Sequence, residues 1–93
     1  MKYRTGQRVR VSDRAHAGHH RTPGYLKGKM GFVEQVRGEY RNPEDLAYGG
    51  QGLPKRPLYT VSFLQRELWP AYRGREGDRL EADLYEHWLE EPK

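Results

Sequence analysis

The chain has 93 residues and a mass of 11.0 kDa, which fits one domain over residues 1–93. Hydrophobic residues make up 34% of it and charged residues 32%, so the core must be small and largely aromatic. No segment approaches the roughly 20 apolar residues of a membrane-spanning helix, and residues 1–10 contain no apolar signal region. We therefore expect a cytoplasmic protein. The lack of Cys excludes disulfides, thiolate metal sites and a cysteine nucleophile.

The net charge of +4 is divided unevenly along the chain. Residues 1–31 carry eight Lys or Arg against one Asp, a net +7, whereas residues 76–93 carry seven acids against two bases, a net −5. Such opposite blocks either neutralise each other within the fold or leave a basic face for a polyanion or an acidic protein. Charge alone leaves both interpretations open.

Several short segments have the composition of strands. A turn is expected at residues 37–39, and residues 67–69 are expected to continue or pair with the preceding strand. Residues 85–90 are ambiguous between a short strand and a single helical turn. The period-two alternation, or the density of aromatic and β-branched residues, predicts strands at residues 7–11, 29–36, 58–63 and 79–84.

Two long segments lack periodicity and read as loops. Residues 12–25 are rich in His, Arg, Gly and Pro, and residues 41–57 hold three Pro and three Gly. The 11 Gly and six Pro of the chain leave no room for a long helix. Short strands with one apolar face must close on each other to hide their edges. The predicted fold is therefore all-β, a small SH3-like barrel of five to six short antiparallel strands with two long loops.

The chain offers little for independent catalysis. No Ser/His/Asp or Cys/His arrangement stands out, and the acids near the C-terminus alternate with apolar positions, as on a solvated strand face. His16, His19 and His20 could meet one zinc, copper or nickel ion. A fourth ligand is missing, however, and loop histidines are more often surface or interface hydrogen-bonders. We expect no metal site in this chain.

Nucleic acid binding is an alternative. Residues 26–33 look like the KOW element of ribosomal and transcription-elongation barrels, in which a glycine-bearing hairpin sits between basic positions. Lys-Gly-Lys before a strand is equally what any barrel uses to enter a turn, and the acidic C-terminus argues against a purely electrostatic binder. The residues of this alternative are Lys27, Lys29, Arg8 and Arg10 for phosphates, with Tyr3, Tyr25 and Tyr40 for stacking on bases.

Binding to a protein partner is the other alternative, because Tyr, Trp and Arg concentrate at protein contacts and both loops carry them. Arg21 lies in a Gly-His-His-Arg-Thr-Pro run, between a flexible glycine and a stiff proline. Its planar guanidinium can donate two parallel bonds to an oxyanion on a partner. On composition alone, a solvated loop cation remains the simpler interpretation of Arg21.

The order and spacing of several motifs are those of a known family. The sequence resembles the C-terminal, SH3-like half of the nitrile hydratase β subunit, and equally the small thiocyanate hydrolase subunit that corresponds to that half. The resemblance covers nearly the entire chain. Its motifs are TGQRVRV at residues 5–11, GHHRTPGY at 18–25, KGKMG at 27–31, YGGQG at 48–52, PLYTVSF at 57–63, ELW at 67–69 and DLYEHWLE at 83–90.

The resemblance implies a non-catalytic, β-type subunit. Family members hydrate a nitrile or hydrolyse thiocyanate at a cobalt(III) or iron(III) ion, held by a cysteine claw on an α-type subunit in which two cysteines are oxidised. In the family, the arginine of the Gly-His-x-Arg motif contacts the oxygens of the oxidised cysteines across the subunit interface. The resemblance implies this role for Arg21. A separate chain equivalent to the N-terminal half of a β subunit is a further expected partner, and an accessory or activator role toward the α-type subunit is an alternative. The expected partner-binding residues are His19, Arg21, Tyr25, Lys27 and Trp69.

Overall fold

The computed structural model describes residues 2–13 and 24–92. The strands are β1 (Arg8–Val11), β2 (Met30–Tyr40), β3 (Arg56–Leu64), β4 (Arg79–Tyr85) and β5 (Leu89–Glu90), and the helices are α1 (Pro43–Ala47) and α2 (Gln65–Leu68). Single 3₁₀ turns cover Gly24–Leu26 and Glu86–Trp88. In the described part of the chain, the five strands form one antiparallel sheet in the order β4-β3-β2-β1-β5. The predicted all-β, SH3-like fold is confirmed.

The core is built from every second side chain of the strands, as the pleat of a sheet requires. Trp88 and Leu26, each at most 1% exposed, add bulk from the two 3₁₀ turns. The buried apolar strand residues are Val9, Val11, Val33, Tyr59, Val61, Phe63, Leu84 and Leu89. Among the described helices, none is long and apolar enough to cross a bilayer.

The turn predicted at residues 37–39 is wrong, because β2 runs without a break to Tyr40. The pairing of β2 with β3 shifts register between Val33 and Gln35 and again between Val36 and Gly38. Gly38 has a φ of 111°, which an L side chain rarely adopts. Gly38 therefore marks an irregularity inside a long strand, where a glycine suits a bulge as well as a turn.

The strand predicted at residues 67–69 is also wrong. Gln65–Leu68 form α2, and the N–H of Trp69 donates to the carbonyl of Gln65 at 3.1 Å. The helical turn buries Leu68, which is 5% exposed, against the core. Burial of one leucine thus outweighs the strand propensity of its neighbours.

Two further predictions are refined by the structure. The second long loop contains α1, and β3 begins at Arg56 rather than after residue 57. The ambiguous segment at residues 85–90 adopts both forms in succession, the 3₁₀ turn Glu86–Trp88 and then β5. The first long loop is described only at its ends, because residues 14–23 lie outside the described part.

Replacing Gly31 by Ala is expected to destabilise the fold by about 1–3 kcal/mol, because the new Cβ overpacks β2 against β3. An ideal Cβ would lie 2.8 Å from the carbonyl oxygen of Ser62 and 2.8 Å from Cγ1 of Val61. The exposed Gly77 is a matched control, since a Cβ there meets nothing within 4 Å. Urea unfolding of Gly31→Ala and Gly77→Ala measures both effects, and equal midpoints would contradict the close packing at Gly31.

Candidate functional site

The described residues before and after the segment 14–23 are hydrogen-bonded to each other. The N–H of Val11, the last residue of β1, donates to the carbonyl of Lys29 at 2.9 Å. The carbonyl of Val11 in turn accepts from the N–H of Gly28 at 2.8 Å. These two backbone hydrogen bonds hold together the strand before the segment and the turn after it. They form what we call the loop base, residues 11–12 and 26–29.

Arg10 reinforces the loop base with two ion pairs. Its Nη2 lies 3.1 Å from Oδ2 of Asp13, and its Nη1 donates to Oε1 of Glu90. The hydrogen bond to Glu90 is the largest cause that raises the pKa of Arg10 above its ordinary value. Arg10 therefore joins the start of the loop to β5, and its charge is already shared between two carboxylates.

Tyr25 and Trp69 form an aromatic pair beside the loop base. Their ring centroids are 5.2 Å apart at an interplanar angle of 34°. Trp69 is held in turn by α2, because its Nε1 donates to Oε1 of Gln65 at 3.1 Å. Tyr25 is 46% exposed, so the pair presents the Tyr25 ring to solvent, whereas Trp69 packs against the core. Two of the predicted partner-binding residues are thus in contact with each other.

Lys27, a third predicted partner-binding residue, contacts the buried Trp88. Its Nζ lies 5.5 Å from the centroid of the Trp88 ring, within the range of a cation–π interaction. The indole Nε1 of Trp88 donates to Oε2 of Glu44 at 2.6 Å, and the carbonyl of Trp88 accepts from the N–H of Ser12 at 2.9 Å. Glu44, 8% exposed, also contacts Nε2 of His87 through Oε1 at 2.9 Å.

Sequence reasoning missed this contact between Glu44 and Trp88. Asn42 followed by Pro43 indicates the start of a helix, and the Asn42 side chain does accept from the N–H of Glu44 at 3.0 Å. That local signal could have found α1. It carries no information on the partner of Glu44, which lies 44 residues further along the chain.

A second polar cluster holds the N-terminal residues of the described chain. Tyr59 donates to Oε2 of Glu86 at 2.6 Å and accepts from the N–H of Tyr3 at 3.1 Å. Burial, and then the hydrogen bond to Glu86, raises the pKa of Tyr59 to about 12. Burial likewise raises the pKa of Tyr3. Both phenols stay protonated at neutral pH, and their hydrogen bonds tie Tyr3 to β3 and to the turn that contains Glu86.

Comparisons with known proteins decide what these features belong to. Residues 1–91 match the family described as "Nitrile hydratase beta subunit, C-terminal". The chain belongs to this family. It is 39% identical, over 94% of its length, to the cobalt-containing nitrile hydratase subunit beta of Pseudonocardia thermophila. It is 35% identical, over 96% of its length, to the thiocyanate hydrolase subunit alpha of Thiobacillus thioparus.

A solved structure shows the same fold. Recombinant apo-thiocyanate hydrolase from Thiobacillus thioparus superposes with a TM-score of 0.91 at 32% identity, over 98% of this chain and 76% of that one. The chain spans 35% of the length of the Pseudonocardia thermophila β subunit and 41% of that of the Rhodococcus erythropolis β subunit. The resemblance inferred from the sequence motifs is therefore confirmed at the level of family and fold.

Within this nitrile hydratase β-family chain, the predicted site residues fall into two groups. Tyr25, Lys27 and Trp69 lie around the loop base, whereas His19 and Arg21 lie outside the described residues, as do the other two loop histidines. Among residues 2–13 and 24–92, no group of three or more His, Cys, Asp or Glu is arranged to hold a metal ion.

Proposed function

We propose that this chain is a non-catalytic, β-type subunit of a nitrile hydratase or thiocyanate hydrolase-type complex. In this proposal it binds the metal-bearing α-type subunit and completes the active site of that subunit with Arg21. The observation that carries the proposal is the family match over residues 1–91, which includes the GHHRTPGY tract at residues 18–25. A separate chain equivalent to the N-terminal half of a β subunit would be a further component of the complex.

The geometry of the loop base supports this role. A residue that donates hydrogen bonds across an interface must be presented from a firm support, since loose positioning weakens such bonds. The support here consists of the hydrogen bonds of Val11 to Gly28 and Lys29 and the ion pairs of Arg10. The Tyr25–Trp69 pair beside it, in which Tyr25 is exposed and Trp69 is partly buried, is the kind of surface that protein contacts favour. We assign partner contacts to Tyr25, Trp69 and Lys27, together with His19 in the loop.

The chemistry of Arg21 fits an oxygenated, anionic partner group. A guanidinium presents its donors in a planar fork and stays charged at all physiological pH values, so it can bind oxygens of oxidised cysteines with two parallel hydrogen bonds. This chain has no Cys, so the thiolate ligands of a cobalt or iron ion would come from the α-type subunit. The chain's own contribution is to orient and neutralise those oxygens.

The first test is assembly. Co-expressed with an α-type subunit from the same organism that carries a Cys-x-x-Cys-Ser-Cys tract, the chain is expected to co-purify as a stoichiometric complex. The double variant Tyr25→Ala/Trp69→Ala is expected to weaken the complex at least about tenfold, because aromatic side chains dominate interface energies. Size-exclusion chromatography and calorimetry measure both. A wild-type chain that elutes alone at micromolar concentrations would contradict the proposal.

The alternative function, RNA binding, has less support than the subunit role, because two of the basic residues that it needs already have partners within the chain. The guanidinium of Arg10 is paired with Asp13 and Glu90, and Lys27 lies against Trp88. Titration with labelled RNA at low salt distinguishes the alternative, since a phosphate-tracking barrel binds with steep salt dependence. If the complex forms but this chain dissociates from the mature α-type subunit, the chain is an accessory or activator protein rather than a permanent subunit.

A further inference from the structure

We propose that Glu44 is a positioning residue that joins α1 to the loop base through Trp88. That Glu44 helps to position Arg21 rests on the proposed function. The contact of α1 with the loop base through Trp88 is independent of the proposed function. We call the four residues that make the link, Ser12, Lys27, Glu44 and Trp88, the Trp88 junction.

The Trp88 junction contacts described residues on both sides of the segment 14–23. On the entry side, the N–H of Ser12 donates to the carbonyl of Trp88 at 2.9 Å. On the exit side, Nζ of Lys27 lies 5.5 Å from the centroid of the Trp88 ring. One buried residue thus contacts the chain just before and just after the segment that contains Arg21. A change in the position of Trp88 would move both ends together.

Glu44 holds Trp88 from the second long loop. Its carboxylate, 8% exposed, accepts the indole N–H at 2.6 Å and contacts Nε2 of His87 at 2.9 Å. Without the carboxylate, the indole N–H at the core would lose its acceptor, which costs more than an average hydrogen bond gains.

The segment around Glu44 is closed on itself and can therefore aim the carboxylate. Asn42 caps α1 and accepts from the N–H of Glu44 at 3.0 Å. The two ends of the segment are tied, because Asn42 N–H donates to the carbonyl of Gly52 at 2.9 Å and Gly52 N–H donates to Oδ2 of Asp45 at 2.8 Å. The glycine-bearing loop after α1 thus serves to fix Glu44, and Glu44 in turn ties α1 to the loop base through Trp88.

Hydrogen exchange of the full chain, followed by NMR, tests the link. In Glu44→Ala, the amides of Ser12, Val11 and Gly28 are expected to lose protection by at least about tenfold relative to wild type, since the indole loses a buried acceptor. Glu44→Gln is expected to recover much of this protection, because its amide oxygen can still accept the indole N–H. Amides at the centre of β3 report global unfolding, and the exposed Glu39→Ala is the matched control.

Two outcomes would overturn the proposal. One is unchanged protection of the loop-base amides in Glu44→Ala. The other is an equal loss of protection in β3, which would show only general destabilisation. In the complex with the α-type subunit, Glu44→Ala is expected to co-purify but to turn over several-fold more slowly, by analogy with other changes in the residues that orient a metal-site group. If no complex forms even with wild type, the proposed function fails while the exchange result still decides the link.

Discussion

Replacing Arg21 by Lys in the assembled complex is expected to lower kcat by about 10- to 100-fold, in the range found when residues that orient metal ligands are changed. Lys keeps the positive charge but replaces a planar fork with a single ammonium group, so it cannot donate two parallel bonds to one oxygenated group. The thermal midpoint of the chain is expected to stay unchanged, because the contact proposed for Arg21 is with the partner rather than with the barrel.

A matched control separates this effect from a general change of charge. Arg73→Lys alters an exposed arginine in the turn between α2 and β4 and is expected to leave turnover unchanged. Steady-state kinetics of the two variant complexes, with equal loading of the α-type subunit, make the comparison. Normal turnover of Arg21→Lys would show that the guanidinium fork does not complete the active site.

Trp88→Ala is expected to destabilise the chain by about 3–5 kcal/mol, the usual cost of removing a buried large aromatic side chain. Trp88 is 1% exposed, and the substitution also leaves the Glu44 carboxylate without its indole donor. The loss is a large share of the about 5–15 kcal/mol that stabilises an ordinary domain. Urea unfolding followed by far-UV circular dichroism measures it without relying on tryptophan emission.

Two companion variants divide this loss into its parts. Trp88→Phe keeps a ring in the core but removes the donor to Glu44, and we expect it to cost about 1–3 kcal/mol. Trp69→Ala removes a partly buried tryptophan that follows α2 and packs against the core from outside, so a smaller loss than in Trp88→Ala is expected. Equal losses for the two tryptophans would contradict the assignment of Trp88 to the centre of the core and Trp69 to its edge.

The strands could be predicted from the sequence because each is a local pattern. The alternation of Val9 and Val11, and the aromatic and β-branched run of β3, follow directly from a sheet with one buried face. The two wrong predictions, the turn at residues 37–39 and the strand at residues 67–69, concern local patterns that are compatible with two structures. Gly38 fits a turn or a bulge equally well, and the Glu-Leu-Trp run has strand propensity until the burial of Leu68 selects a helix.

The candidate site could be predicted only where a motif carried it. Tyr25, Lys27 and Trp69 were found through the family resemblance, and the structure places all three around the loop base. Glu44 was missed, because its interaction with Trp88 depends on the closing of the barrel and not on spacing along the chain. The role of Arg21 rests on the resemblance and stays a prediction.

The closure of the loop base has a consequence for how the family can vary. Val11, Gly28 and Lys29 pair through backbone groups alone, so the register of the barrel does not depend on which side chains the intervening tract carries. We therefore expect substitutions within residues 14–23 to leave the pairing of Val11 with Gly28 and Lys29, and so the architecture of the barrel, unchanged.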